Sequence, residues 1–83
     1  MKVLYFARFR QLIGRGQDEI VLPTEITTVN ALLNHLVATD EKCAVAFADL
    51  RTLKVAIDQN YSALDGSIVG AREVAFFPPV TGG

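Results

Sequence analysis

The chain opens on a stretch rich in apolar and aromatic residues, and apolar positions recur at helical spacing in its middle. Lys2 to Phe9 reads as a strand. Val3, Tyr5 and Ala7 fall on one face, and Leu4, Phe6 and Arg8 on the other. Gln11-Leu12-Ile13 is expected to form a short helical turn before Gly14-Arg15-Gly16, a loop signal. Asp18 to Leu22 reads as a second strand, stopped by Pro23 and antiparallel to the first across a long connection. The clearest helix begins at Thr28, a good N-cap residue. Val29, Leu32, Leu33, Leu36 and Val37 then follow at i, i+3, i+4, i+7 and i+8, a single apolar stripe. Asn30, Asn34 and His35 fall largely off it.

Asp40 is a second N-cap candidate, and the short helix after it is expected to bury Cys43, Ala44 and Phe47. Leu53 to Ile57 reads as a strand, with Tyr61 just past it. Asp58-Gln59-Asn60 and Asp65-Gly66 carry turn chemistry. Ser67 to Val69 fits a short edge strand. Glu73 to Phe77 is apolar on both faces, which favours a central place in a sheet. Pro78 has no N–H to donate to a ladder and ends the pairing. A right-handed crossover would set this last strand parallel to the first. The expected fold is therefore α+β: a β-grasp (ubiquitin-like) domain over residues 1–79, with one main helix packed on one face of a mixed sheet. Residues 80–83 are expected to form a flexible tail.

Composition narrows the function. A chain of 83 residues makes one small domain, and a 51% hydrophobic content is too high for disorder. The net charge is −1 with no basic run, so nucleic acid is not an expected partner. No apolar stretch approaches the roughly 20 residues that cross a bilayer, so no membrane is expected either. Arg8 and Arg10 interrupt the first apolar run, which reads as mature strand rather than a leader. A single Cys excludes an internal disulfide and fits a reducing cytoplasm. One Cys and one His do not make a usual metal site, so none is expected. Cys43 is expected in the core and His35 on the surface. Asp18-Glu19 and Asp40-Glu41 are sequence neighbours that do not face each other as catalytic carboxylates would. Gly14-Arg15-Gly16 lacks the spacing and Lys-Ser/Thr ending of a phosphate loop, so the chain is not expected to bind ATP itself.

The remaining chemical candidate is the main chain. Gly82 and Gly83 have no Cβ, so they can thread a channel too narrow for other residues. Alone, a Gly-Gly end fits simple fraying. Here Glu73-Val74-Ala75-Phe76-Phe77-Pro78-Pro79 anchors it in the core, and the proline pair biases the exit toward an extended form.

Lys2-Val3-Leu4-Tyr5-Phe6-Ala7, Arg10-Gln11-Leu12-Ile13-Gly14 and, most specifically, the run from Glu73 to Gly83 resemble the small subunits of molybdopterin synthase. The likeness spans essentially the whole chain. Gly70-Ala71-Arg72-Glu73 departs from the family's usual acidic turn. The resemblance implies a sulfur carrier with no catalysis of its own. An adenylating activating enzyme uses ATP to convert the Gly83 carboxylate to an acyl-adenylate, and a persulfide donor replaces the adenylate to leave a thiocarboxylate. The tail, Val80, Thr81, Gly82 and Gly83, then enters the large catalytic subunit. There it delivers sulfur to cyclic pyranopterin monophosphate within a heterotetramer. The chain itself binds no cofactor in this scheme. A carrier also needs a docking face, and Phe6, Tyr61 and Phe77 are the expected aromatic patch, although a strand aromatic is as readily ordinary core. Related readings are a carrier for thiamine synthesis or tRNA thiolation, a ubiquitin-like modifier, and a plain interaction module.

Overall fold

The computed structural model describes residues 1–79, so the expected tail, Val80, Thr81, Gly82 and Gly83, lies outside the described residues. In chain order the elements are β1 (Lys2–Tyr5), α1 (Arg8–Ile13), β2 (Gln17–Glu19), α2 (Val29–Thr39), α3 (Glu41–Ala46), β3 (Lys54–Ile57), β4 (Asn60–Ser62) and β5 (Glu73–Phe77). The five strands form one sheet in the order β2-β1-β5-β3-β4. β5 runs parallel to β1 and antiparallel to β3. This is the β-grasp arrangement, and the strand that is apolar on both faces occupies its centre.

Register explains the core. Val3 lies opposite Val74, Tyr5 opposite Phe76, and Phe76 opposite Val55. All five are at most 2% exposed, and they pack with Val29, Leu32, Leu33 and Leu36 of α2. Phe47 closes the cluster, with its ring centroid 5.2 Å from Phe76 and 5.5 Å from Phe9. Each fully buried large apolar side chain contributes roughly 1.5–3 kcal/mol, so one sheet face and the α2 stripe carry most of the folding free energy.

The start of α2 is satisfied from two directions. Thr28 Oγ1 accepts from the Ala31 N–H at 3.2 Å. The Val29 and Asn30 N–H groups donate to the carbonyls of Gly66 (3.1 Å) and Leu64 (2.8 Å). The loop from Leu64 to Gly66 is thus fastened to the helix. Gly66 is favoured by close approach: a Cβ there would overlap Ser62 Oγ, which would have to turn away, and would stand 3.1 Å from the Ala63 carbonyl oxygen. Asp40 caps α3 as expected, accepting from the Lys42 and Cys43 N–H groups.

Several expectations are corrected. The first strand ends at Tyr5, not Phe9. Ala7 turns the chain with φ 53°, and α1 begins at Arg8. Burying both Phe9 and Ile13, four residues apart, needs a helix, and that requirement overrides the alternation. Arg8 therefore does not share a sheet face with Leu4 and Phe6. β2 covers Gln17–Glu19 rather than Asp18 to Leu22, because beyond Ile20, which pairs with Met1, the chain has no strand partner among the described residues. Val37 is 38% exposed at the edge of the α2 stripe. Tyr61 lies within a fourth strand. Ser67 to Val69 makes only a single bridge, from Ser67 to Thr28.

Candidate docking face and tail exit

The helices cover only one face of the sheet. The other face is built by the alternate residues: Leu4 on β1, Ala75 and Phe77 on β5, Lys54 and Ala56 on β3, and Tyr61 on β4. Register aligns Leu4, Ala75, Ala56 and Tyr61 in one row, with Phe77 and Lys54 opposite each other in the next. The alanines are short, so the large side chains stand above a shallow floor.

At the C-terminal end of β5 this face forms an open groove of about 510 Å³, lined by Lys54, Tyr61, Ser62, Ala63, Phe77 and Pro79. The Tyr61 and Phe77 rings sit 5.8 Å apart at an interplanar angle of 42°. Tyr61 is 82% exposed, far from the core position a strand aromatic usually takes. Pro78 is half-buried and Pro79 exposed, so the chain leaves the sheet at the groove. Phe6 is 47% exposed and follows β1 at the same end, its N–H donating to the Phe76 carbonyl at 3.1 Å. The structure therefore brings Tyr61 and Phe77 together and places Phe6 beyond the end of its strand. Among the described residues, no ring pairing joins Phe6 to the other two. Lys54 was not singled out from sequence. A lone Lys beside Leu53 and Val55 reads as a strand edge until β3–β5 pairing puts it opposite Phe77.

The opposite side holds a polar network. Tyr5 Oη donates to Asp18 Oδ2 at 2.8 Å, Arg15 Nε donates to Asp18 Oδ1 at 2.7 Å, and Arg15 donates to Asp40 Oδ2 at 2.6 Å. The Arg15 guanidinium holds both carboxyls below their ordinary range, aided at Asp18 by Tyr5 and at Asp40 by the start of α3. Burial, then the bond to Asp18, pushes the Tyr5 hydroxyl far above its usual value. The Tyr5 hydroxyl and the Arg15 guanidinium are both tied to carboxylates, and the geometry joins β1, β2 and the α2–α3 junction. It is a brace rather than a reaction centre. Cys43 is fully buried, and burial raises its thiol, which keeps the poorly nucleophilic neutral form. His35 is half-buried on α2. Among the described residues, no three His, Cys, Asp or Glu side chains cluster to hold a metal ion, and no helix is long and apolar enough to cross a membrane.

A mixed five-stranded sheet, helices on one face and a groove on the other at the end of the central strand define a β-grasp domain. Residues 3–83 match the model of the ThiS family, and the chain belongs to that family. It is 40% identical to a molybdopterin synthase sulfur carrier subunit of Escherichia coli and 41% identical to one of Haemophilus influenzae. In both cases the match covers all of this chain and 99% of the relative. Among solved structures, SAMP1 from Haloferax volcanii superposes with a TM-score of 0.75 at 23% identity, covering 99% of this chain and 97% of that one, which shows the shared fold. A protein provisionally assigned as molybdopterin converting factor subunit 1, from Pyrococcus furiosus, gives a TM-score of 0.68 at 30% identity, with 95% of each chain covered.

Proposed function

We propose that this chain is the sulfur carrier subunit of molybdopterin synthase and that the Gly83 carboxylate is its working group. The observation that supports this reading best is end-to-end likeness to proteins named as that subunit, in a domain whose central strand empties into an open groove. The domain spans residues 1–79, and residues 80–83 are the delivery arm.

The chemistry follows from what a carboxylate lacks. It is a poor electrophile with a poor leaving group, so an activating enzyme must first use ATP to make the acyl-adenylate. The outer sulfur of a persulfide donor then displaces AMP to give an acyl disulfide, and a second thiol attacks its S–S bond, leaving the Gly83 thiocarboxylate and a disulfide on the donor side. Gly82 and Gly83 offer no side chain to obstruct either attack or insertion. The rigid Pro78-Pro79 exit limits the entropy lost when the arm enters the large subunit, which supplies the pterin pocket and the acid–base groups. The chain is not an enzyme alone and binds neither ATP nor pterin. It works in the cytoplasm, within an assembly of small and large subunits. Tyr61 and Phe77, with Phe6 flanking the exit, form the docking face for both the activating enzyme and the large subunit, which therefore compete for it.

Intact-mass measurement after co-expression with the activating enzyme tests this. A fraction heavier by one oxygen-to-sulfur exchange is expected, and deletion of Gly83 should abolish sulfur transfer while leaving the melting temperature unchanged. Substantial transfer by the truncated chain would overturn the proposal. Ladders of protein conjugates without the heavier species would favour a modifier instead.

A further inference from the structure

Among the described residues, Lys54 is the one charge in the groove beside the tail exit. It is exposed, lies opposite Phe77 in register, and lines the same groove as Tyr61 and Pro79. Among the described residues it takes part in no ion pair. On the neighbouring strand, the acid of the same face is Glu73. It lies four residues back along β5, about 13 Å away at roughly 3.3 Å per residue. Asp49 is already held by Arg51 at 2.9 Å. Among the described residues, the groove therefore presents an apolar, aromatic wall with a single uncompensated cation.

We infer that Lys54 fixes how the large subunit seats on this face, by pairing with a carboxylate that the large subunit carries next to the entrance for the tail. This inference rests on the carrier reading above. A partner that covers Phe77 and Tyr61 also strips water from the Lys54 ammonium. Removing a charge from water without a counter-ion costs more than covering one ring returns, so a purely apolar partner would bind poorly. An Asp or Glu opposite Lys54 offsets that cost and fixes the register in which the tail meets its channel. A Lys or Arg at the same place is rejected. The matching surface is thus an apolar patch bearing one acidic residue. The competing account is that the four-carbon stem bends to the rim and keeps its charge in water, in which case Lys54 has no say in binding.

The test is calorimetric titration of the large synthase subunit from the same organism with four full-length carriers, at low and high salt. Relative to wild type, Lys54→Met should weaken binding roughly 10-fold or more and Lys54→Glu roughly 100-fold, while Lys54→Arg stays within about 3-fold. Salt should weaken wild type more steeply than Lys54→Met. Replacing the facing partner carboxylate with Lys should restore binding to Lys54→Glu. Melting temperatures should not change, which separates the effect from misfolding. Equal affinity of Lys54→Met and wild type would overturn the inference and leave the carrier reading standing. Failure of the wild type itself to bind would bring down the carrier reading, and this inference with it.

Discussion

Replacing Asp58 with Ala should cost far more stability than an exposed turn residue normally does. Asp58 and Gln59 form the two-residue link between β3 and β4 at φ 48° and 70°. The Asp58 carboxylate reaches across to the start of β5, where Oδ1 accepts from the N–H groups of Arg72 (2.9 Å) and Glu73 (3.0 Å). Its own N–H donates to the Glu73 carbonyl at 3.0 Å, a bond that Ala would keep. Losing the two carboxylate bonds at a solvent-exposed site costs about 1–2 kcal/mol. Holding Ala in the left-handed region costs about 1 kcal/mol more, a penalty that Asp and Asn largely escape. The sum is about 2–3 kcal/mol, against a total of roughly 4–12 kcal/mol for a domain of this size. At about 6 °C per kcal/mol, Asp58→Ala should melt about 12–18 °C below wild type. Asp58→Asn keeps both the acceptor and the backbone preference and should fall within about 3 °C. Asp58→Gly removes the backbone strain but not the bond loss, and should lie between them. Thermal unfolding followed by circular dichroism, with urea titration as a check, measures all three. If the Ala variant melts within about 3 °C of wild type, or Asn falls as low as Ala, the clamp does not act as described.

Two further outcomes follow from the brace and the docking face. Asp18 and Asp40 titrate below their unfolded values because of Arg15, so their contribution is present above the unfolded carboxyl range near pH 4 and is lost as pH falls through the lowered folded values. Arg15→Met should therefore destabilise the protein at pH 7 and flatten the acid limb of its melting profile; an unchanged limb would refute the coupling. Phe77→Ala should weaken binding of the large subunit by more than about 1 kcal/mol, and Tyr61→Ala should act in the same direction because the two rings touch. Affinity unchanged in both folded variants would retire the patch.

How much of this was legible in the sequence depended on how local each cause is. The α2 stripe and the Thr28 cap lie within one stretch of chain, and both were legible. β5 was placed at the centre correctly because Val74 and Phe76 on one face and Ala75 and Phe77 on the other are all apolar. The end of β1 was hidden. The alternation Val3, Tyr5, Ala7 runs past the true boundary, and only the need to bury Phe9 and Ile13 together reveals α1. β4 was hidden because Asn60-Tyr61-Ser62 has no apolar face of its own and becomes a strand only by pairing with β3. The Tyr61–Phe77 contact and the position of Lys54 both depend on that register. The brace joins Arg15 to Asp40, 25 residues away, which no periodicity can announce.

The parallel pairing of β1 with β5 also governs when the molecule can form at all. The sheet's middle is supplied by residues 73–77, so a growing chain holds β1 and β3 apart, each with an unsatisfied edge, until nearly all of it has been made. An interrupted translation product that stops before Glu73 leaves Val3, Tyr5 and Val55 uncovered and is fit only for proteolysis or aggregation. A product that stops before β5 thus lacks both the middle of the sheet and the arm, so it neither folds nor occupies a partner meant for the whole carrier.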